Sequence, residues 1–186
     1  MPTLRTLLLP LLLGMSLAMT ETAQGQMPDP ENVLVMELTN GTVEIEMLPA
    51  LAPQHVARIR ELTREGFYDG VVFHRVIDGF MAQTGDPTGT GRGGSGQNIP
   101  AEFTAEPFVR GVVGMARAQS PNSADSQFFI VFADASFLNN QYTVWGRVTA
   151  GMEAVDLIKK APKGRQSGMV DEPDAIVTLR VKADVK

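Results

Sequence analysis

The chain has 186 residues, 44% of them hydrophobic and 20% charged, with 16 Lys and Arg against 21 Asp and Glu for a net charge of −5. That composition fits a soluble globular protein with one real core, and its sign argues against binding a nucleic-acid backbone. The absence of cysteine excludes disulfides, thiol nucleophiles and iron–sulfur clusters, and two histidines, His55 and His74, leave little from which to build a metal site.

Residues 1–25 stand apart, with Arg5 as the only charge before Glu21 and an almost wholly apolar run from Leu7 to Leu17. Broken by Pro10 and Gly14, that run falls short of the roughly 20 residues that span a bilayer and reads as the core of a signal peptide. Ala23-Gln24-Gly25 offers small residues for cleavage before Gln26, and Ser16-Leu17-Ala18 offers a second site. No cysteine follows the run to carry a lipid, so the expectation is a protein free of the membrane after leader cleavage, periplasmic or secreted. A short linker, 26–32, then leads to one domain, 33–186.

Val33 to Leu38 and Thr42 to Met47 are β-rich runs around Thr39-Asn40-Gly41, where Asn-Gly suits a type I′ hairpin turn. The turn also accounts for the glycosylation-like triplet Asn40-Gly41-Thr42 without a sugar. Pro53 starts and Gly66 stops an amphipathic helix whose apolar face is Val56, Ile59 and Leu62. Strands are expected at Val71–Ile77, Phe80–Thr84, Val112–Ala116, Gln127–Phe132, Thr143–Val148 and Ala175–Val181. A second helix carries Met152, Val155 and Ile158 and ends at Lys159-Lys160. Seven or eight strands, only two helices and no βα alternation argue for a closed or nearly closed antiparallel barrel with the helices plugging its ends.

Gly89-Thr90-Gly91-Arg92-Gly93-Gly94 contains the letters of a dinucleotide loop. The next residues, Ser95 to Pro100, cannot open a helix, so the expectation is a flexible glycine loop rather than a cofactor site. Gly94-Ser95-Gly96 lacks the glycine that a nucleophile elbow requires where Gln97 stands. No pair of carboxylates sits in a setting distinctive enough to suggest glycoside chemistry. Two segments are less ordinary: Phe73-His74-Arg75 with the run Gly79 to Asp86, and Ser126-Gln127-Phe128-Phe129-Ile130. Strand alternation puts Phe73 with Arg75, Met81 with Gln83 and Gln127 with Phe129, which makes an apolar pocket bearing one cation and two amides. His74 reads as a hydrogen-bonded strand residue rather than an acid or base.

Taken in order, FHRVIDGFMAQTGDPTGTGRGG, GMARAQSPNSADSQFFI and FLNNQYTVWGRVTAGMEAVD resemble the successive signatures of a cyclophilin-type peptidyl-prolyl cis-trans isomerase, from about Val33 to the C-terminus. The resemblance implies a closed eight-stranded antiparallel β-barrel capped by two α-helices with the substrate groove on its outer surface, catalysis by Arg75, a proline-ring pocket of Phe80, Met81 and Phe129, and substrate-contacting amides on Gln83 and Gln127. It further implies a neighbouring groove at Gly89 and Ala116-Arg117-Ala118, where backbone groups hold the residue before proline, and a wall that includes Phe137, Leu138 and Tyr142. The family often has Ala-Asn-Ala at 116–118, tryptophan at 137 and histidine at 142. The last two departures keep an aromatic wall and change its hydrogen bonding, which bears on substrate preference and drug affinity. The implied partners are proline-containing segments of client proteins and, weakly, cyclosporin; the implied state is a monomer without cofactor or metal. The reading from another class is a non-catalytic binding module or chaperone using the same groove.

Overall fold

Eight strands and two helices follow one another along residues 28–186, which are the residues that the computed structural model describes. The expected signal peptide and the start of the linker lie outside the described residues. The strands are β1 (Val33–Leu38), β2 (Gly41–Met47), β3 (Arg75–Ile77), β4 (Met81–Thr84), β5 (Val112–Met115), β6 (Phe128–Val131), β7 (Val144–Ala150) and β8 (Ile176–Val181). Helix α1 (Pro53–Arg64) lies between β2 and β3 and α2 (Met152–Asp156) between β7 and β8. All pairings are antiparallel, in the order β3-β4-β6-β5-β7-β2-β1-β8.

The β1–β2 hairpin forms where expected, with Leu38 opposite Gly41, but its turn is not type I′. Neither Thr39 nor Asn40 has a positive φ; Gly41 takes the deviation at φ 140°, and a Cβ there would stand 3.2 Å from that of Ala154 in α2. Proline at its first position and Gly66 just beyond its end bound α1, as its sequence predicts. Its face of Val56, Ile59 and Leu62 is buried, and the helix packs against β8. Helix α2, set against β2, ends three residues before the expected Lys159.

The cap of α1 comes from far away in sequence. Ala52 precedes the helix and has no side chain to cap it. Instead the Glu102 carboxylate accepts from the Gln54 and His55 amides, both at 3.1 Å, and from the His55 ring Nδ1 at 2.7 Å. Two of the helix's free N–H groups are thereby satisfied by a negative charge at the positive end of the helix dipole. Burial lowers the pKa of His55 against the opposing influence of Glu102. Burial by itself would raise that of Glu102, but the hydrogen bonds from His55 and the two amides outweigh it, and the net shift is downward.

Alternation along β4, β5 and β6 divides the apolar residues between two clusters. Ala82, Val113, Met115, Phe128 and Ile130 join the main core, with Trp145 and the α1 face. Met81, Val112, Phe129 and Val131 form a second cluster with Phe108, Leu138 and Val144 on the opposite side. Both faces of β6 are therefore covered, which is why it reads as an unbroken apolar run.

The expected strand 71–77 is the element that departs most. Only β3 is regular, and Phe73 and Val76 both lie in the main core, so strict alternation fails between them. Phe73 does not share a face with Arg75. Residues 70–73 stand outside the ladder and bond Asp174 and the first residue of β8 through Gly70 N–H to Ile176 O (2.8 Å), Phe73 N–H to Asp174 O (2.8 Å) and Ile176 N–H to Val71 O (2.9 Å). Because β3 and β8 form no ladder with each other, the sheet is an open half-barrel with two helices rather than the closed barrel expected.

Glu102→Gln removes the charge that caps α1 and orients His55, and should lower the unfolding free energy by about 1–2 kcal/mol at neutral pH. The wild-type protein should itself lose stability on acidification. The unfolded chain takes up a proton at His55 that the folded chain resists, and at lower pH the contribution of the ionised Glu102 is lost as it protonates. Urea unfolding of both proteins at neutral and mildly acidic pH checks this; equal stabilities at neutral pH would mean that Glu102 does not hold the helix.

Candidate active site

Two cavities meet on the face of the sheet that carries the second cluster. The first, of about 400 Å³, gathers ten of the expected residues. Arg75 comes from β3, Met81 and Gln83 from β4 with Phe80 just before it, and Phe129 from β6. Ala116 and Arg117 come just after β5, while Phe137, Leu138 and Tyr142 precede β7. The second cavity, of about 420 Å³, shares Gln83, Ala116 and Arg117 with the first and adds Ala118 and Gln127. Gly89 lies in neither. Its amide donates to Asp86 O at 3.1 Å, and a Cβ on it would meet Val72, so the glycine loop reaches the cavity through Gly91, Gly93 and Gly94 instead.

Register places the polar residues side by side, with Arg75 opposite Gln83 and Gln83 opposite Phe129. Arg75 Nη1 donates to Gln83 Oε1 at 3.1 Å and its Nε to Ser167 O at 3.0 Å. Since a guanidinium can only donate, it fixes the direction of the rest of the series. Gln83 Nε2 donates to Gln127 Oε1 at 2.9 Å, and Gln127 Nε2 donates to Gly93 O at 2.8 Å. No carboxylate of the described residues forms a salt bridge with Arg75. Partial burial lowers its pKa from the ordinary arginine value, with the Tyr142 phenol opposing the shift, and a group so basic stays charged at neutral pH.

Beside this cation the pocket is aromatic. Phe129 stacks on Phe108 at 5.7 Å and meets the edge of Tyr142 at 5.7 Å, while Phe80 lies 5.2 Å from Phe137, whose ring is 63% exposed. Gly114 makes the first of these contacts possible, because a Cβ there would stand 2.6 Å from both Phe108 and Phe129. Arg117 lies over Tyr142 at 4.7 Å from the ring centre and donates to the carbonyls of Gln141, Ala118 and Gln119.

The glycine loop is tied down rather than flexible. Asp86 accepts from the Thr88 amide and hydroxyl, both at 2.8 Å, and from the Gly91 amide at 2.6 Å. Burial by itself would raise its pKa, but these bonds outweigh it and hold the carboxyl down to about 2. Asp125 accepts from the Ser95 and Gly96 amides at 2.8 and 2.9 Å and from the Ser95 hydroxyl, which also accepts from Arg58 of α1. Beneath the loop, His74 is buried, and among the described residues neither ring nitrogen has a hydrogen-bond partner of good geometry. The nearby Val72 carbonyl instead accepts from Thr84 Oγ1 at 3.0 Å. Burial lowers the pKa of His74, favouring the neutral ring.

Sequence reasoning missed Asp86, Asp125, Ser126 and Tyr68. Ser126 Oγ donates to Gly85 O at 2.7 Å and Tyr68 Oη to Ser126 O at 3.1 Å, which fixes the approach to Gln127. The Asp86-Pro87-Thr88 turn carried a readable signal, because an Asp side chain commonly accepts from the amide two residues on. The others bond across long stretches of chain and left none. Among the described residues no three His, Asp or Glu side chains gather as they would around a metal ion.

Comparison with known proteins adds to this geometry. The model of the family described as "Cyclophilin type peptidyl-prolyl cis-trans isomerase/CLD" matches residues 33–181. A "Probable peptidyl-prolyl cis-trans isomerase" of Brucella suis biovar 1 (strain 1330) is 51% identical over 185 residues, covering 93% of each chain. Among solved structures, the cyclophilin AquaCyp293 from Hirschia baltica superposes with a TM-score of 0.76 at 30% identity, covering 86% of this chain and 77% of that one. A Cryptosporidium parvum cyclophilin type peptidyl-prolyl cis-trans isomerase, solved in the presence of the dipeptide Ala-Pro, gives a TM-score of 0.73 at 27% identity, over 80% of this chain and 98% of that one.

Proposed function

The chain belongs to the cyclophilin family of peptidyl-prolyl cis-trans isomerases, and from that premise we propose that Arg75 drives X-Pro isomerisation in segments of exported client proteins. The observation that carries the reading is the guanidinium of Arg75, partly buried at the edge of an aromatic pocket and held by an amide oxygen and a backbone carbonyl, with no carboxylate paired to it among the described residues.

An X-Pro bond turns slowly because amide resonance sets a barrier of about 20 kcal/mol. In the twisted transition state the prolyl nitrogen regains its lone pair, so a donor aimed there stabilises that state more than either planar ground state. Arg75 supplies such a donor with a permanent charge and takes no proton from the substrate. Phe80, Met81 and Phe129 grip the proline ring, with Leu138, Phe137 and Tyr142 along the wall. Burying a ring of that size contributes on the order of 1.5–3 kcal/mol to binding. Ala116, Arg117 and Ala118 offer backbone to the residue before proline, and Gln83 and Gln127 hold the cation in place while contacting substrate. The binding-module reading is not favoured, since a groove that only holds proline has no use for a cation beside the ring.

The export part of the proposal rests on the apolar run Leu7 to Leu17 and the small residues at Ala23 and Gly25. It places the mature domain at 33–186 after a short linker, periplasmic or secreted. Its test is the intact mass of the exported protein, which should correspond to an N-terminus between Met19 and Met27; retention of Met1 would contradict export. Weak binding of cyclosporin belongs to the same reading, because Phe137 lacks the indole N–H donor of a tryptophan. Phe137→Trp is the substitution that restores it.

Arg75→Ala should lower kcat/KM on a short proline peptide by about 10²–10³ with an unchanged melting temperature. The wild-type profile should be flat around neutral pH, because Arg75 does not titrate there and burial keeps His74 neutral. An Arg75→Ala rate within about threefold of wild type would promote the binding module, since losing a donor to the transition state costs far more. A limb of the profile removed by His74→Gln would assign the histidine a proton-transfer role.

A further inference from the structure

The net charge of the chain is −5, yet the groove is cationic. Its second cavity is walled by Arg92 and Arg117, and Arg75 stands one residue away across Gln83. None of these three guanidiniums forms a salt bridge among the described residues. Most other arginines do, including Arg58, Arg64, Arg110, Arg147, Arg165 and Arg180.

The one carboxylate in the wall, Asp125, is already engaged. One of its oxygens takes the Ser95 amide and hydroxyl and the other takes the Gly96 amide. Arg92 is exposed, and its guanidinium has no hydrogen-bond partner among the described residues. Arg117 donates only to backbone carbonyls, which hold the guanidinium in place without cancelling its charge. Arg92 and Arg117 thus face a cleft of about 420 Å³ whose wall also carries the Asp125 carboxylate, turned to the loop amides, so that two cations outnumber one anion there.

An extended peptide directs alternate side chains to the same side. With proline seated in the aromatic cavity, the residue two positions away on the same face points toward the second cavity, past Ala116 and Arg117. The Ala116-Arg117-Ala118 backbone is the segment that holds the residue before proline in the isomerase reading, so that position lies on the N-terminal side. We infer that the second cavity takes an acidic side chain two residues before proline, held between Arg92 and Arg117, so that the protein favours client segments of the form Glu/Asp-Xaa-Pro. This deepens the isomerase reading and rests on it for the seating of proline.

The test uses three peptides that differ only at that position, with Glu, Gln or Lys. Both kcat/KM and the dissociation constant are measured at low and high salt. At low salt the expected order is Glu, Gln, Lys, with about three- to tenfold between Glu and Gln, shrinking as salt screens the exposed charges. The Glu-to-Gln ratio should fall toward one in Arg92→Gln combined with Arg117→Gln. It should persist in Arg92→Lys combined with Arg117→Lys, which keeps the charge. Moving Glu to two residues after proline should remove the preference. A wild-type ratio near one, or a preference that survives the double Gln substitution, overturns the inference. Failure to turn over any of the peptides would instead overturn the isomerase reading, and the order of the dissociation constants would still decide for or against the acidic subsite.

Discussion

A guanidinium partly buried in a groove ordinarily attracts a carboxylate, because an unpaired charge away from water is costly. Arg75 meets that requirement with neutral acceptors: an amide oxygen on Gln83 and the carbonyl of Ser167. Much of the architecture around the groove serves this choice. The β3–β4 register sets Gln83 opposite Arg75, a bond from its NH2 to Gln127 keeps the Gln83 oxygen turned to the arginine, and Gln127 ends the series on Gly93 of the glycine loop. That loop is in turn fixed by Asp86 and Asp125. These carboxylates are thus bonded to the loop's own amides and hydroxyls, and neither of them forms a salt bridge with Arg75.

The apolar half of the site follows from burial on both faces of β4, β5 and β6. Residues of one parity fill the main core, and those of the other parity build a second cluster whose surface is the pocket floor. Gly114 lets Phe108 stack on Phe129 from below, so the floor is a supported ring rather than a loose one. The magnitudes separate the two halves by role. Ring burial of on the order of 1.5–3 kcal/mol suffices to hold a proline but is small beside a barrier of about 20 kcal/mol, and it acts alike on ground and transition states. In the proposed mechanism, the electrostatic contribution at the prolyl nitrogen is the one that discriminates between them.

Much of this was legible in the sequence where the signal is local. Proline and glycine bounded α1, alternation marked β1 and β2 and apolar runs marked β5 and β6, and Met81 with Gln83 and Gln127 with Phe129 do line the two cavities of the groove. The reading failed at 71–74, where an apolar, strand-like run turns out to obey a few backbone bonds to Asp174 and the first residue of β8 rather than a ladder, and Phe73 goes to the core. It failed again at the glycine loop. Glycine content suggests freedom, but what decides mobility is whether distant carboxylates collect the loop amides, and Asp125 is some thirty residues away in sequence. Glu102, capping α1 from 47 residues away, was hidden for the same reason. Local pattern reveals which face a side chain takes; long-range polar pairing, which fixes the site, is invisible until the chain is folded.

The most direct test of the account is the rate of X-Pro isomerisation by Gln83→Glu. This substitution keeps Arg75, the pocket and nearly the same shape, but puts a carboxylate where the neutral acceptor stood. If the unneutralised charge is what acts on the prolyl nitrogen, kcat/KM should fall by about tenfold or more while binding of a proline peptide changes much less, since the loss lies in the transition state. A rate close to that of the wild type, with the introduced carboxylate ionised and bonded to Arg75, would contradict the account.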